Sequence, residues 1–124
     1  MKKSLLVAEV AQAHEGSINL AITFINLVKE AGYDAVKFQI HLTEFETTYD
    51  DKFRKGTVNY NKSRFEYWKK MELSEQEWIK LSSYAKKIGL EFICSIFCTE
   101  AIDILNKLPN LHSVKISSGE MYNK

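Results

Sequence analysis

The sequence predicts an α/β fold, the N-terminal half of a TIM (β/α)8 barrel with about four parallel strands and covering helices. Short apolar runs rich in β-branched residues alternate with longer segments whose apolar residues recur at three- and four-residue steps. This alternation is typical of parallel strands joined by helical crossovers. A complete barrel repeats the unit eight times in about 250 residues, and this chain of 124 residues has four strand-like runs.

The composition indicates one globular core and argues against several classes of partner. Hydrophobic residues make up 45% of the chain, and the net charge of +1 predicts no nucleic-acid partner. No apolar run approaches the roughly 20 residues that cross a bilayer, so no membrane partner is expected. The apolar run after residues 1–3 is interrupted by Glu9, too early for a signal peptide. We therefore expect a cytoplasmic protein.

The first strand and helix come in order after this start. Residues 5–10 form a short apolar strand that carries Glu9, and a loop through residue 16 follows. Ser17 is the expected N-cap of a helix that runs to about residue 31, where Gly32 ends it. The predicted buried stripe of this helix consists of Ala21, Phe24, Ile25, Val28 and Ala31.

The second strand, residues 33–40, carries polar side chains at alternate positions. Lys37 and Gln39 share one face, and Val36, Phe38 and Ile40 share the other. If helices cover the apolar face, the other face points into the barrel interior. A lysine there requires an anion.

Residues 43–62 are polar with scattered aromatic residues and no clear period, which predicts a long loop. Loops of this length are usually functional or disordered, and whether the 43–72 segment forms a lid stays open. Residues 63–71 are expected to form a short amphipathic helix within it.

Ser74 and Glu77 form a capping-box pattern that opens a helix over residues 75–88. Its predicted buried stripe consists of Trp78, Leu81, Tyr84, Ala85 and Ile88. The third strand covers residues 90–95.

Thr99 is the expected cap of the next helix, which stops before Pro109. Its inward residues are predicted to be Ala101, Ile102, Leu105 and Leu108. The fourth strand covers residues 113–117 and carries Lys115. Cys94 and Cys98 have no second pair of ligands near them, so we expect free thiols.

Polar residues gather where these strands end, the usual place of the active site in a barrel. The candidates are Glu9, His14, Lys37, Gln39, Ser95, Lys115, Ser118 and Glu120. Two lysines, two hydroxyls and the amides of the last turn suit a phosphate plus a carboxylate. The glutamates and the histidine are candidates for proton transfer or sugar contacts.

Structural alternatives exist for each candidate. Lys37 and Lys115 could pair with Glu9 and Glu120 as buried bridges, and His14 could be an ordinary loop histidine. No glycine-rich phosphate loop follows any strand, which argues against a dinucleotide fold. Spacing alone predicts an anion site and no particular reaction.

Five motifs in order resemble the N-acetylneuraminate (sialic acid) synthase family, with its legionaminic and pseudaminic relatives. They are AEV at residues 8–10, AHEG at 13–16, AVKFQ at 35–39, FICSIF at 92–97 and KISSGE at 115–120. The resemblance implies a TIM barrel that condenses phosphoenolpyruvate with an N-acylated hexosamine such as N-acetylmannosamine and releases phosphate. It also implies a divalent metal, manganese above all, and a homodimer.

Carried over motif by motif, the resemblance implies roles for individual residues. Lys37, Ser95, Lys115 and Ser118 would hold the phosphate and carboxylate of phosphoenolpyruvate. Glu9 and Glu120 would be catalytic, in contact with the sugar and the developing charge. Gln39 would be a supporting hydrogen-bond partner, and His14 is taken as a further substrate-binding residue.

The resemblance also implies parts that lie outside this sequence. We expect residues 1–124 to form one partial barrel domain, without the second half of the barrel and without the C-terminal antifreeze-like domain. The metal-binding histidines are expected beyond residue 124. The pattern departs from the family where Ala13 replaces an Asn and Ile96 replaces a Pro.

Two alternatives remain at this point. One is a phosphate-binding or assembly module without turnover, in which two open sheet edges could pair in a dimer that rebuilds eight strands. The other is a different phosphoenolpyruvate-dependent synthase that makes a 3-deoxy-ketoacid from a sugar phosphate. A second phosphate site would favour it, but the only arginines are Arg54 and Arg64.

Overall fold

A computed structural model describes residues 4–53 and 63–122, and one parallel sheet organises them. Its four strands lie side by side in chain order. They are β1 Val7–Ala11, β2 Ala35–Ile40, β3 Glu91–Ile96 and β4 Leu111–Ile116. All three pairings are parallel, so the carboxyl ends of the strands meet at one edge, as in a barrel wall.

Five α-helices occur in the described ranges. They are α1 Ile18–Glu30, α2 Thr43–Glu46, α3 Arg64–Met71, α4 Glu75–Lys87 and α5 Ile102–Leu105. Single 3₁₀ turns cover Thr99–Ala101 and Ser118–Glu120. None of the helices in these ranges has the length and apolar character needed to cross a membrane.

The helix starts confirm two predictions from local sequence. The hydroxyl of Ser17 accepts a hydrogen bond from the N–H of Leu20 at the start of α1. Ser74 and Glu77 form the predicted capping box of α4. Each such cap satisfies a backbone N–H that the helix leaves unpaired.

The described residues between β2 and α4 contain more regular structure than the predicted loop. It begins with the short helix α2, and α3 lies where residues 63–71 predict a helix, with Phe65 and Met71 buried. Ser63 and Glu66 give α3 a capping box as well. Residues 54–62, which belong to the predicted loop, lie outside the described ranges.

The core lies between the helices and one face of the sheet. Its largest fully buried members are Trp78, Phe38, Phe92, Ile25, Ile40, Leu81 and Leu90. Tyr84 of α4, Ile88 at the C-terminal cap of α4 and Phe24 of α1 are only partly buried, packed against this core. Ala31 is exposed, so its predicted place in the stripe is wrong, because α1 has already ended at this residue.

The segment after β3 also differs from its prediction. Thr99 does not cap a helix, because its hydroxyl bonds the neighbouring Glu100 carboxylate and residues 99–101 form a 3₁₀ turn. The change of helical pitch rotates the following turn, so that Ile104 is buried and Ile102 is exposed. Strand β4 starts at residue 111, two residues before its predicted start.

Candidate active site

Register places five of the predicted site residues on one face of the sheet. Glu9 is paired with Lys37 across β1 and β2, and Gln39 is paired with Ser95 across β2 and β3. Ser95 is in turn paired with Lys115 of β4. Because register partners in a parallel sheet point to the same side, all five side chains project from the face that the helices do not cover. The polar face predicted from β2 therefore continues across all four strands.

Lys37 and Glu9 form an ion pair on this face. The Nζ of Lys37 lies 2.5 Å from Oε2 of Glu9, and the other carboxylate oxygen accepts a hydrogen bond from the N–H of Ala11. The Lys37 side chain is 8% exposed, whereas that of Glu9 is 49% exposed. The pairing of Lys37 with Glu9 that the structural alternative predicts is therefore present. Here only the lysine is enclosed, and the carboxylate opens to solvent.

Ser95 supplies a hydroxyl that lacks a partner. Ser95 is 1% exposed, and its Oγ has no hydrogen-bond partner among the described residues. A buried polar group without a partner costs about 1–3 kcal/mol, so it calls for an explanation. Since Ser95 lies between Gln39 and Lys115 in register, a ligand bound on this face could satisfy it.

The residues at the end of β4 lie in a more open setting. Lys115 and Ser118 are exposed, and Glu120 is partly buried in the 3₁₀ turn after the strand. Beside them is a cleft of about 380 Å³, which Glu120 lines together with Phe97 and Cys98. Of the predicted site residues, only Glu120 lines this cleft. The cleft therefore adjoins the polar face of the sheet and does not coincide with it.

His14 lies on the other side of the sheet. It is 1% exposed, and its ring packs against Phe38 and Trp78 on the helix-covered side. Its Nδ1 accepts a hydrogen bond from the N–H of Gly16. Burial lowers the pKa of His14, and the nearby His41 lowers it further. In this structure His14 does not face Lys37, so its role as a substrate contact stays a prediction without geometric support.

His41 is a residue of this region that the sequence reasoning missed. Its ring stacks on Phe97 with centroids 4.1 Å apart, and its Nδ1 lies 2.5 Å from a carboxylate oxygen of Glu46. Its Nε2 lies 3.4 Å from Oε1 of Gln39. The signal was present, since residue 41 continues the alternation of Lys37 and Gln39, but the predicted strand ends at residue 40.

Both cysteines are free, as predicted. Cys94 is buried on the helix-covered side, and burial raises its pKa to about 12. Cys98 is partly buried at the strand ends, and burial raises its pKa as well.

The residues of this part of the chain do not form a metal site by themselves. Within residues 4–53 and 63–122, no three His, Cys, Asp or Glu side chains converge to hold an ion. The described residues therefore provide no set of ligands for the manganese that the resemblance implies, and no reaction step is assigned to the metal.

Comparison with known proteins decides the family. A model described as the NeuB family matches residues 24–124. The chain belongs to the NeuB family. The N,N'-diacetyllegionaminic acid synthase of Legionella pneumophila is 33% identical over 95% of this chain and 34% of its own length. The N-acetylneuraminate-9-phosphate synthase of Mus musculus is 32% identical over 95% of this chain and 33% of its own length.

A solved structure extends the likeness to the fold. The N-acetylneuraminic acid (sialic acid) synthetase of Leptospira borgpetersenii superposes with a TM-score of 0.73 at 23% identity. The match covers 94% of this chain and 38% of the synthetase. The predicted partial TIM barrel is thereby confirmed. This NeuB-family chain spans about a third of the length of the curated relatives it matches.

Proposed function

We propose that this NeuB-family chain provides the phosphoenolpyruvate-binding part of a nonulosonic acid synthase. The proposed enzyme condenses phosphoenolpyruvate with an N-acylated hexosamine such as N-acetylmannosamine. The observation that carries the proposal is the polar face, which holds Lys37, Lys115 and the unpartnered hydroxyl of Ser95. The names of the relatives, which are sialic and legionaminic acid synthases, support the same reaction class.

The charges of the face suit the two anionic groups of phosphoenolpyruvate. The Lys37 ammonium is nearly buried, so its attraction for a phosphate or carboxylate is weakly screened by water. Ser95 and Ser118 supply hydroxyl donors, which give direction to a contact that a lysine makes as a point charge. Glu9 already accepts from Lys37, and a substrate anion would share that lysine with it.

The proposed reaction forms one carbon–carbon bond. C3 of phosphoenolpyruvate attacks the aldehyde carbon of the sugar, and the aldehyde oxygen takes up a proton. Water then adds to the cationic C2 and loses a proton, which leaves a hydroxyl and the phosphate ester on C2. This hydroxyl loses its proton and becomes the C2 carbonyl as the C2–O bond to phosphate breaks, and inorganic phosphate leaves. Glu9 and Glu120 are the proposed groups that stabilise the developing positive charge and exchange these protons.

The test is an assay of phosphate release by the protein expressed from its complete reading frame. Phosphoenolpyruvate, manganese and a series of N-acylated hexosamines are supplied, and turnover with one of them is expected. Lys37→Met should lower kcat/KM about 100-fold, because it removes a charged hydrogen bond to the substrate in a weakly solvated site. Lys107→Met is the matched control, since Lys107 pairs with Glu75 on an exposed surface and should leave activity unchanged.

The outcome separates the alternatives. Turnover with a sugar phosphate and not with any N-acylated hexosamine would assign a different 3-deoxy-ketoacid synthase. Binding of phosphoenolpyruvate without turnover would assign the non-catalytic module. No binding and no turnover would overturn the proposal.

The partners implied for the complete protein are also proposals. We infer a homodimer, which light scattering after size-exclusion chromatography checks by mass. A monomeric mass would contradict it. The cytoplasmic location stays a prediction from the sequence.

A further inference from the structure

Strand β1 ends in a bulge beside the polar face. Glu9 is paired with Lys37, whereas Ala11 is paired with the next residue of β2, Phe38, so that Val10 is left outside the pairing. At the end of the bulge the backbone of Ala11 has φ +52°. Bulges are uncommon in parallel sheets, and beside active sites they redirect a side chain. The bulge therefore bears on where the side chain of Glu9 points.

The backbone conformation of Ala11 is unfavourable for an alanine. A positive φ crowds the Cβ of any residue other than glycine against its own backbone, and alanine has no polar side chain to compensate. Glu15, in the same loop, has φ +51°. Such conformations persist only where surrounding contacts over-determine them, and they are concentrated at functional sites.

His14 anchors this loop on the helix-covered side. Its ring is 1% exposed and meets Trp78 edge-on, with centroids 5.8 Å apart. Its Nδ1 accepts from the N–H of Gly16, and its carbonyl accepts from the N–H of Ser17 at 2.8 Å. Because His14 follows Ala11 by three positions, Ala11 cannot relax to an extended conformation without moving a loop whose anchor is buried.

The left-handed backbone of Ala11 brings its N–H to Glu9. This N–H donates to Oε1 of the carboxylate at 3.1 Å, and the other oxygen, Oε2, lies 2.5 Å from Nζ of Lys37. Both donors are unambiguous, because a backbone N–H and an ammonium can only donate. The Glu9 side chain is 49% exposed, and a glutamate this open would otherwise occupy several rotamers. The two contacts together hold each of its oxygens.

We propose that Ala11 is a positioning residue, whose left-handed backbone directs its N–H at Glu9 and so fixes the carboxylate beside Lys37. The inference deepens the proposed function and rests on it for the action of Glu9 on the developing charge. A carboxylate that is already fixed needs no reorganisation when that charge forms. Ala11 acts through Glu9 and does not itself touch substrate. His14 serves the same end from the other side of the sheet, because it anchors the loop.

Two substitutions of Ala11 have different predicted effects. Ala11→Gly takes φ +52° without a steric penalty and keeps the N–H, so kcat should stay within about twofold of wild type. Ala11→Val places a β-branched residue where it is strongly disfavoured, so the backbone should leave this conformation and the bond to Glu9 should be lost. In Ala11→Val kcat should fall about tenfold, with little change in the KM for phosphoenolpyruvate.

Gly32→Val is the matched control for strain. It also places a β-branched residue at a positive φ, +79°, where the added Cβ meets nothing within 4 Å, in the turn before β2. Like Ala11→Val it should lower the melting temperature, but it should leave kcat unchanged. An equal loss of kcat in the two valine variants would overturn the inference, because strain alone would then explain it. An equal loss in Ala11→Gly and Ala11→Val would overturn it as well.

Amide hydrogen exchange followed by NMR tests the contact itself. In Glu9→Ala the N–H of Ala11 loses its acceptor and should exchange about tenfold faster than in wild type. The N–H of Ala13 is the internal reference, because it donates to the carbonyl of Val10 at 3.0 Å in the same loop. Its exchange should not change.

The exchange rates do not require turnover, so they separate this inference from the proposed function. If the wild-type protein turns over and the Ala11 amide exchanges equally in wild type and Glu9→Ala, the positioning role is overturned and the function stands. If nothing turns over, the proposed function fails. The positioning of Glu9 is then decided by the exchange of the Ala11 amide alone, where faster exchange in Glu9→Ala supports it and equal exchange overturns it.

Discussion

The two faces of β2 and β3 are enclosed to a similar degree but differ in chemistry. On the helix-covered face, Val36, Phe38, Phe92 and Cys94 are fully buried. The Phe38 and Phe92 rings stack with centroids 5.5 Å apart, and Trp78 meets Phe38 edge-on at 6.0 Å. This face is filled by apolar contacts, which stabilise the fold in proportion to the area removed from water.

The opposite face of the same strands contains Lys37, Gln39 and Ser95. Lys37 and Ser95 are buried nearly as well as the aromatic residues, yet Ser95 Oγ has no partner in the described part of the chain. Burial alone therefore does not distinguish a stabilising face from a functional one. An unpartnered polar atom does not distinguish them either, because Nε2 of His14 on the helix-covered side also has no partner in the described part of the chain. The two faces differ in that one is filled by apolar side chains, whereas the other carries a charged group and a hydroxyl that a ligand can contact.

Adjacent residues on the two faces give the largest expected contrast. Phe38→Ala should lower the free energy of unfolding by about 3–5 kcal/mol, because it empties a ring-sized volume in the core. Gln39→Ala, one residue along the strand, should stay within about 1 kcal/mol of wild type because it removes no core contact. Urea denaturation followed by circular dichroism measures both. Equal losses for the two variants would contradict the division between the faces.

Two glycines test how tightly the helix-covered side is packed above β1. Gly16 has φ +73°, and a Cβ added there would lie 2.1 Å from the carbonyl oxygen of Lys70 at the end of α3. Gly32 has a similar φ of +79° but open space around it. Gly32→Ala should cost about 1–2 kcal/mol from backbone strain alone.

Gly16→Ala should cost more than Gly32→Ala, since the clash with Lys70 is with backbone and cannot be relieved by a side-chain rotation. Comparison of the two melting temperatures isolates the steric part from the conformational part. Equal destabilisation of the two variants would show that α3 does not pack against the loop as described.

The pH dependence of stability tests whether the helix-covered side can accommodate a positive charge on His14. Because burial lowers its pKa in the folded state below the ordinary 6.5, the unfolded chain takes up this proton first as the pH falls. The contribution of His14 to stability is therefore complete above pH 6.5 and decreases as the pH falls towards the folded-state pKa. Nearby Glu77 partly opposes the shift.

We expect the melting temperature of the wild-type protein to fall between pH 7 and pH 5, and His14→Gln to show a smaller fall. His112→Gln should retain the wild-type dependence, because His112 is exposed. A steeper fall in His14→Gln than in wild type would show that the sign assigned to His14 is wrong.

Alkylation of the two thiols is the smallest of the expected differences between the two regions. Cys94, on the helix-covered side, has a pKa raised to about 12 by burial, so almost no thiolate is present at pH 8. Cys98 is only partly buried, at the strand ends. Iodoacetamide at pH 8 should therefore modify Cys98 slowly and Cys94 only in urea, as read by mass spectrometry. Modification of Cys94 at the rate of Cys98 in the native protein would contradict the enclosure of this face.

Local sequence predicted features that depend on neighbouring residues. The capping box of α4 and the period of two in β2 are examples, because each involves residues within a few positions of one another. The prediction failed where the helical pitch changed. The hydroxyl of Thr99, which can cap a helix, bonds the Glu100 carboxylate instead. Ile104 is buried, whereas Ile102, which was predicted to point inward, is exposed.

The candidate site was predicted in part for the same reason. Lys37 and Gln39 were placed on one face by alternation alone, whereas their relation to Ser95 and Lys115 required the register between strands. His41 was missed because its partners are distant from it in local pattern: Glu46 belongs to the short helix α2, which was not predicted, and Phe97 follows β3.

The sequence by itself determined the order of strands and helices, the fold class and the polarity of the two faces of β2, because these follow from periodicities within single segments. Only the tertiary structure decided that Glu9 reaches Lys37, that Ser95 is buried without a partner and that His14 belongs to the helix-covered side. These facts depend on contacts between residues far apart in the chain, such as the 28 positions between Glu9 and Lys37. No local period encodes such contacts, because they are set by how the strands align and which side each loop packs against.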